Sequence, residues 1–293
     1  MLGRRRGNKS RVEISGKPCI EALELRTLLS GTAPLVAIHT DEIIRPDVGG
    51  TTVQGFTPSQ IRHAYGFDKI SQDGTGQTIA IVDAYDAPNI AADLATFDAQ
   101  FNLPAPPSFL KVSETGSPTV LPSVDPGWAG EISLDVEWSH AMAPGANILL
   151  VEANAATNQD LMAAVNYARN AAGVSVVSMS WGGSEFFPFP GAQNFQTQYD
   201  PDFTTPAGHQ GVTFIASSGD SGQMAGAQWP ASAPTVLSVG GTNLSVADQN
   251  GTYSGEQSWA GSGGGYSTVE TEPTFQDVAQ SSGTHSVPDV AYD

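Results

Sequence analysis

The chain has 293 residues, a length that suits one large α/β domain or two smaller ones. Only 14 % of residues are charged and 40 % are apolar, with 32 glycines and 20 prolines, which excludes a coiled coil and a charged disordered chain. The net charge of −18 hides a split. Residues 1–30 hold seven of the twelve Lys and Arg, so residues 31–293 set five basic against 27 acidic residues, a net −22 that repels phosphate backbones and anionic membranes and excludes nucleic acid as a partner.

Residues 1–54 read as a basic, disordered N-terminal segment and residues 55–293 as the folded domain. Arg4, Arg5 and Arg6 are followed by no apolar run of signal-peptide length. Ile20–Gly31 (IEALELRTLLSG) resembles a short N-terminal motif of large exported or surface proteins of some bacteria, and an extracellular or cell-surface location is the expectation it carries. Cys19, the one cysteine, has no partner for an intrachain disulfide, and no stretch approaches the roughly 18 apolar residues of a membrane span.

Folding signals begin at Thr57. With Pro58 and Gln60 it forms a capping box for a helix through Ile61 and Ala64. Continuous apolar, β-rich runs then follow at Thr78–Ala84, Asn147–Ala153, Val174–Trp181, Val212–Gly219 and Thr235–Gly241. Continuous rather than alternating runs mark strands buried on both faces of a parallel sheet. Helical patterns lie between them at Asn89–Asn102, Gly127–Ala143 and Asn158–Ala172, the last capped by Thr157 and stopped by Gly173. The βαβα order predicts a doubly wound α/β domain with helices on both faces and its active site at the carboxyl ends of the strands. Beyond Gly241 the chain turns rich in Gly, Ser and Thr and reads as loops and short strands.

Three features could carry chemistry. Glu131 and Asp135 are four apart on a predicted helix and share one face. Such a pair is either a solvated acidic face or, in a cleft, two carboxyls that share a proton and serve as an acid/base device. Asp220, in ASSGDSG at the end of a strand, is either a turn residue or a catalytic acid at the position where α/β enzymes place such groups. Ser180, Trp181, Gly182 and Gly183 are either a plain strand-to-loop exit or an unpaired edge whose glycines allow close backbone approach and suit a peptide that adds itself as an extra β-strand. The string GDSG does not make Ser221 a chymotrypsin-type nucleophile, because that class is all-β. His39, His63, His140, His209 and His285 are scattered and lack the paired spacing of a metal site, so no metal is expected. Gly261–Ser267 (GSGGGYS) has no following Lys and reads as a close-approach or flexible loop rather than a phosphate loop.

From Phe56 to Asp293 the chain resembles the sedolisin family, the serine-carboxyl peptidases that share the subtilisin fold. The resemblance runs through FTPSQIRHAYGF, TIAIVDAYDAPN, GEISLDVEW, APGANILLVEA, VVSMSWGG, FIASSGDSG, WPASAPTVLSVGGTN, SGGGYS and VPDVAYD. It implies a subtilisin-like, mainly parallel sheet and an endopeptidase acting on proteins or peptides at acidic pH. It further implies that Glu131 is the general base, that Asp135 orients it, and that Asp220 stands where subtilisins carry their oxyanion-hole asparagine. Asp83 then takes the place of an outer carboxylate, with Trp181 extending its hydrogen-bond network. The family's nucleophile lies in G-T-S-x-x-x-P downstream of the PDV segment, and none of the GT pairs here, at Gly31, Gly50, Gly74, Gly241, Gly251 and Gly283, is followed by Ser. Ser282, in SSGTHS, has the inverted order. The expectation is a sedolisin-type domain incomplete at its C-terminus, lacking the nucleophile and the family's calcium site, hence without cofactor and inactive by itself. The alternative is a noncatalytic peptide-binding module that keeps the SWGG groove; a glycosidase fits poorly, since both acids lie on one helix face.

Overall fold

The computed structural model describes residues 39–40, 55–185 and 193–293. Apart from His39 and Thr40, the segment 1–54 lies outside them.

The predicted elements form close to their expected bounds. Thr57 caps α1 (Pro58–Ala64), and Gln60 Oε1 accepts the Thr57 N–H at 2.8 Å, completing the capping box. β2 (Thr78–Ala84) and α2 (Ile90–Phe101) follow, the helix ending at Asn102 in the left-handed region. β3 (Phe109–Ser113) is a strand that the apolar pattern does not announce. α3 (Pro126–Met142) starts at Asp125, whose carboxylate accepts the N–H groups of Gly127 and Trp128. Then come β4 (Asn147–Ala153), α4 (Asn158–Asn170) behind its Thr157 cap, and β5 (Val174–Met179). The run Val174–Trp181 is therefore not one strand. The chain breaks at Ser180, and β6 (Trp181–Ser184) leaves the main sheet for a small separate one.

After α5 (Gln193–Tyr199) the chain forms β7 (Thr213–Ser217), β8 (Gln228–Trp229), β9 (Val236–Val246), β10 (Tyr253–Ser258), β11 (Gly265–Thr271), β12 (Thr284–Val287) and β13 (Val290–Tyr292). The large sheet has the order β10-β9-β7-β5-β2-β4-β3, with β13 also on β9. All its pairings are parallel except β10 with β9.

Two apolar layers hold the sheet. On one face Ala80, Val82, Leu149, Val151, Val177, Phe214 and Val236 pack with α4, including Leu161 and Val165. On the other, Ile81, Ile148 and Leu150 pack with Ile90 and Leu94 of α2 and Ile132 and Val136 of α3. The second layer stops at β2. Val176, Ile215, Leu237 and Val239, on the same face of β5, β7 and β9, belong to neither layer and are only half-buried. The strand ends there border an open cavity of about 300 Å³.

The glycine loop at 261–265 takes the close-approach form. Gly263 N–H donates to Gly219 O at 2.5 Å and Ser218 Oγ donates to Gly263 O at 2.9 Å. A Cβ at Gly263 would lie 1.9 Å from Ser218 O, a backbone atom that cannot move aside. Gly263→Ala should therefore destabilise the protein by about 2 to 4 kcal/mol in thermal or urea unfolding. A loss under 0.5 kcal/mol would show that the two loops are not locked together.

Candidate active site

α3 packs on β2 through Ile81, Ile132 and Val136, and Ser180, just past the end of β5, reaches it through a hydrogen bond. Glu131 and Asp135 sit one turn apart on that helix, Glu131 only 4 % exposed. The Ser180 hydroxyl donates to Asp135 Oδ1 at 2.8 Å, tying the β5–β6 break to the acidic helix. Ser180 lines the open cavity together with Ser178, Ser217, Gly219, Gly241 and Asp220. Asp220 thus lies three residues beyond the end of β7, on the cavity that Ser180 borders. Gly219 before it has φ +105°, and a Cβ there would meet the Gln228 amide at 2.7 Å, so a side chain is excluded on both counts.

Asp83, near the end of β2, is fully buried, and both its carboxyl oxygens lack a hydrogen-bond partner. Burial pushes its carboxyl well above the usual range, and the charges of Asp135, Glu131 and Glu152 push the same way. The structure therefore brings Glu131, Asp135, Asp83 and Ser180 together. Trp181 plays a different part from the one expected. Its indole N–H donates to the Val82 carbonyl at 2.7 Å, and with that one donor used it has none left for the Asp83 carboxyl.

The peptide-binding edge is also not the unpaired strand anticipated. β6 pairs antiparallel with β8 on one side, Gly183 opposite Trp229. On the other it pairs antiparallel with β1 (His39–Thr40), His39 opposite Gly182 and Thr40 opposite Trp181. β1 also approaches α3. A segment far away in sequence fills the edge, a pairing that two residues of local sequence cannot signal.

Two histidines away from the site are packing groups. His140 and His285 are fully buried, each with a ring nitrogen 2.7 Å from a backbone carbonyl, of Pro104 and Ser232 respectively. Among the described residues no group of three or more His, Cys, Asp or Glu is placed to hold a metal ion. No helix among them is long and apolar enough to cross a membrane.

Sequence reasoning missed two sets of buried acids. Glu152 stands beside Asp83 on β4. Its signal was an acid inside the otherwise apolar run NILLVEA. Glu185, Asp200 and Glu270 cluster behind β6 and β8: Glu185 accepts Ser267 Oγ–H at 2.6 Å and the Thr268 N–H at 2.8 Å, and Asp200 accepts the Trp229 indole N–H at 3.2 Å. Burial, with Asp200 and Glu185 adding to it, pushes Glu270 up to about 8.

Residues 127–289 match the subtilase family of peptidases. Kumamolisin from Bacillus sp. (strain MN-32) is 33 % identical over 263 residues, covering 80 % of this chain. Sedolisin from Pseudomonas sp. (strain 101) is 28 % identical over 271 residues, covering 83 %. The chain spans 45 % of the length of each of these relatives. A solved structure of Pseudomonas sedolisin, a serine-carboxyl proteinase complexed with two molecules of pseudo-iodotyrostatin, superposes with a TM-score of 0.69 at 30 % identity, over 83 % of this chain and 71 % of that one. Fold, order of elements and similarity agree: the chain belongs to the subtilase family and, within it, to the sedolisins.

Proposed function

We propose that residues 55–293 supply the acid–base half of a serine-carboxyl endopeptidase that cleaves proteins or peptides at acidic pH, outside the cell or at its surface. The observation that carries this reading is the Ser180–Asp135 hydrogen bond, which joins the acidic helix to the strand edge and to the cavity that Asp220 lines. An extended peptide laid against Trp181–Gly183 would present its carbonyl between α3 and the β7 end. That the edge accepts β1 as an antiparallel strand supports its use for peptides.

In this reading Glu131 takes the proton of a serine hydroxyl as that oxygen attacks the carbonyl carbon, and returns it to the leaving amine. Asp135 orients Glu131. Asp220, in its protonated form, donates to the oxygen on which charge develops, a role that requires acid. No serine of residues 1–293 stands in the G-T-S setting, so these residues by themselves are expected to bind a peptide without cleaving it.

The test is a titration of isotope-labelled protein at pH 4 with a tripeptide aldehyde. The Gly182 and Gly183 amides and the Ser180 amide should shift as the peptide displaces β1. Shifts confined to other surfaces, at millimolar peptide, would remove the binding-edge assignment.

A further inference from the structure

β2 and β4 pair in parallel along their whole length, and Asp83 stands opposite Glu152. Opposite residues on neighbouring strands present their side chains to one face of the sheet, here the face that α2 and α3 cover. Both residues are fully buried. Two carboxyls thus lie side by side in an apolar core, and their surroundings differ.

Glu152 Oε1 accepts the Ala87 N–H at 3.0 Å and lies 3.6 Å from Lys111 Nζ on β3. The same ammonium pairs with Asp86 and donates to the Ala87 carbonyl at 3.0 Å, so it is fixed at the rim. Asp83 has no hydrogen-bond donor and no cation. The titratable groups facing it are Asp135 and Glu131 from α3 and Glu152 from β4. Burial pushes Glu152 up to about 7, with Asp86 adding to it and the Ala87 amide and Lys111 opposing it. When adjacent carboxyls compete, the one with donors and a cation ionises first, and its charge then holds the other protonated.

We propose that Glu152, anchored by Lys111 and the Ala87 amide, is a positioning residue that keeps Asp83 a neutral carboxylic acid, able to donate a hydrogen bond toward the Glu131–Asp135 pair. Burial comes first in holding the proton on Asp83, then Asp135 and Glu131, and Glu152 raises further the pH at which Asp83 gives it up, and with it the alkaline limit of the site. No bond is made or broken in this role. It rests on the peptidase reading for its functional meaning and on the strand register for its geometry.

The experiment is a carboxyl ¹³C titration of the 293-residue protein, which reads protonation without requiring catalysis. In Glu152→Gln the Asp83 midpoint should fall by about one pH unit or more, since a buried neighbouring charge has been removed. In Lys111→Met, which deletes a rim cation and leaves the strands in place, the Glu152 midpoint should rise and that of Asp83 should fall. A packing role alone would lower the melting temperature and leave the Asp83 midpoint where it was. An Asp83 midpoint unchanged in both variants overturns the proposal, and if Glu152→Gln does not fold, an unchanged midpoint in Lys111→Met does so alone. Coupled midpoints in a protein that binds no peptide would leave the proposal standing and sink the peptidase reading instead.

Discussion

Glu131→Gln should lower kcat/KM by about 10³- to 10⁵-fold when residues 1–293 are joined to a segment supplying the G-T-S serine, measured at pH 4 on an internally quenched peptide. Glutamine keeps the shape and the hydrogen-bonding oxygen of the side chain and loses only the ability to take a proton. Because Glu131 is buried on the covered face of α3, the change should leave the fold intact and act through chemistry. Asp135→Asn should cost less, about 10²- to 10³-fold, because an amide oxygen can still accept the Ser180 hydroxyl. Activity of Glu131→Gln within tenfold of the parent would end the assignment of the base. Strong acid proteolysis by residues 1–293 alone, lost on Ser221→Ala or Ser282→Ala, would place the nucleophile in this chain after all.

The second large effect is on stability against pH. Glu137 and Glu152 are pushed up to about 7 and Glu270 to about 8, in each case first by burial and then by neighbouring acids. A carboxyl raised in the folded state binds a proton that the unfolded chain has already released. Its contribution is therefore complete below the ordinary glutamate range near pH 4.5 and disappears as pH climbs toward 7 or 8. For Glu152 the loss over that interval is about 3 kcal/mol, at 1.36 kcal/mol per pH unit of displacement. Asp289 works in the opposite sense. Burial raises it, but hydrogen bonds from His285, the Ser238 amide and Gln276 outweigh burial and hold it low, so its contribution fades in stronger acid. Stability should thus peak near pH 4 to 5 and fall by several kcal/mol by pH 8. Urea midpoints measured from pH 3 to 9 will show it; a midpoint highest at pH 7 or above would mean that these acids are solvated rather than buried.

Much of the α/β half was legible because it is written in local rules. The Thr57 and Thr157 caps, the Gly173 stop and the unbroken apolar runs of β2 and β4 each fix one element without reference to the rest. β3 escaped because it is an edge strand behind a Pro-rich stretch, with Leu110 exposed. β10 to β13 were expected only as short strands without bounds, because Gly, Ser and Thr carry no apolar period there. The break at Ser180 is set by its bond to Asp135, 45 residues away, and the β1–β6 pairing by contact across a longer span still. Glu131 and Asp135 were singled out by their spacing and Asp220 by its place after an apolar strand. Glu152 shows in the sequence only as an acid inside an apolar run, and its neighbour appears once the register sets it against Asp83.

The half-covered sheet places a dielectric boundary through the site. Under α2 and α3 the medium is dry, and there burial raises the proton affinities of Asp83 and Glu152. Past β2 the face opens, and Ser180 and Asp220 meet solvent along the cavity. A carbonyl arriving from the wet side would touch groups whose proton affinities are set on the dry side. Laying any apolar cover over Val176, Ile215, Leu237 and Val239 would move that boundary outward, past Ser180 and Asp220. An occupant of that face would thus change the dielectric of the cavity as well as its shape.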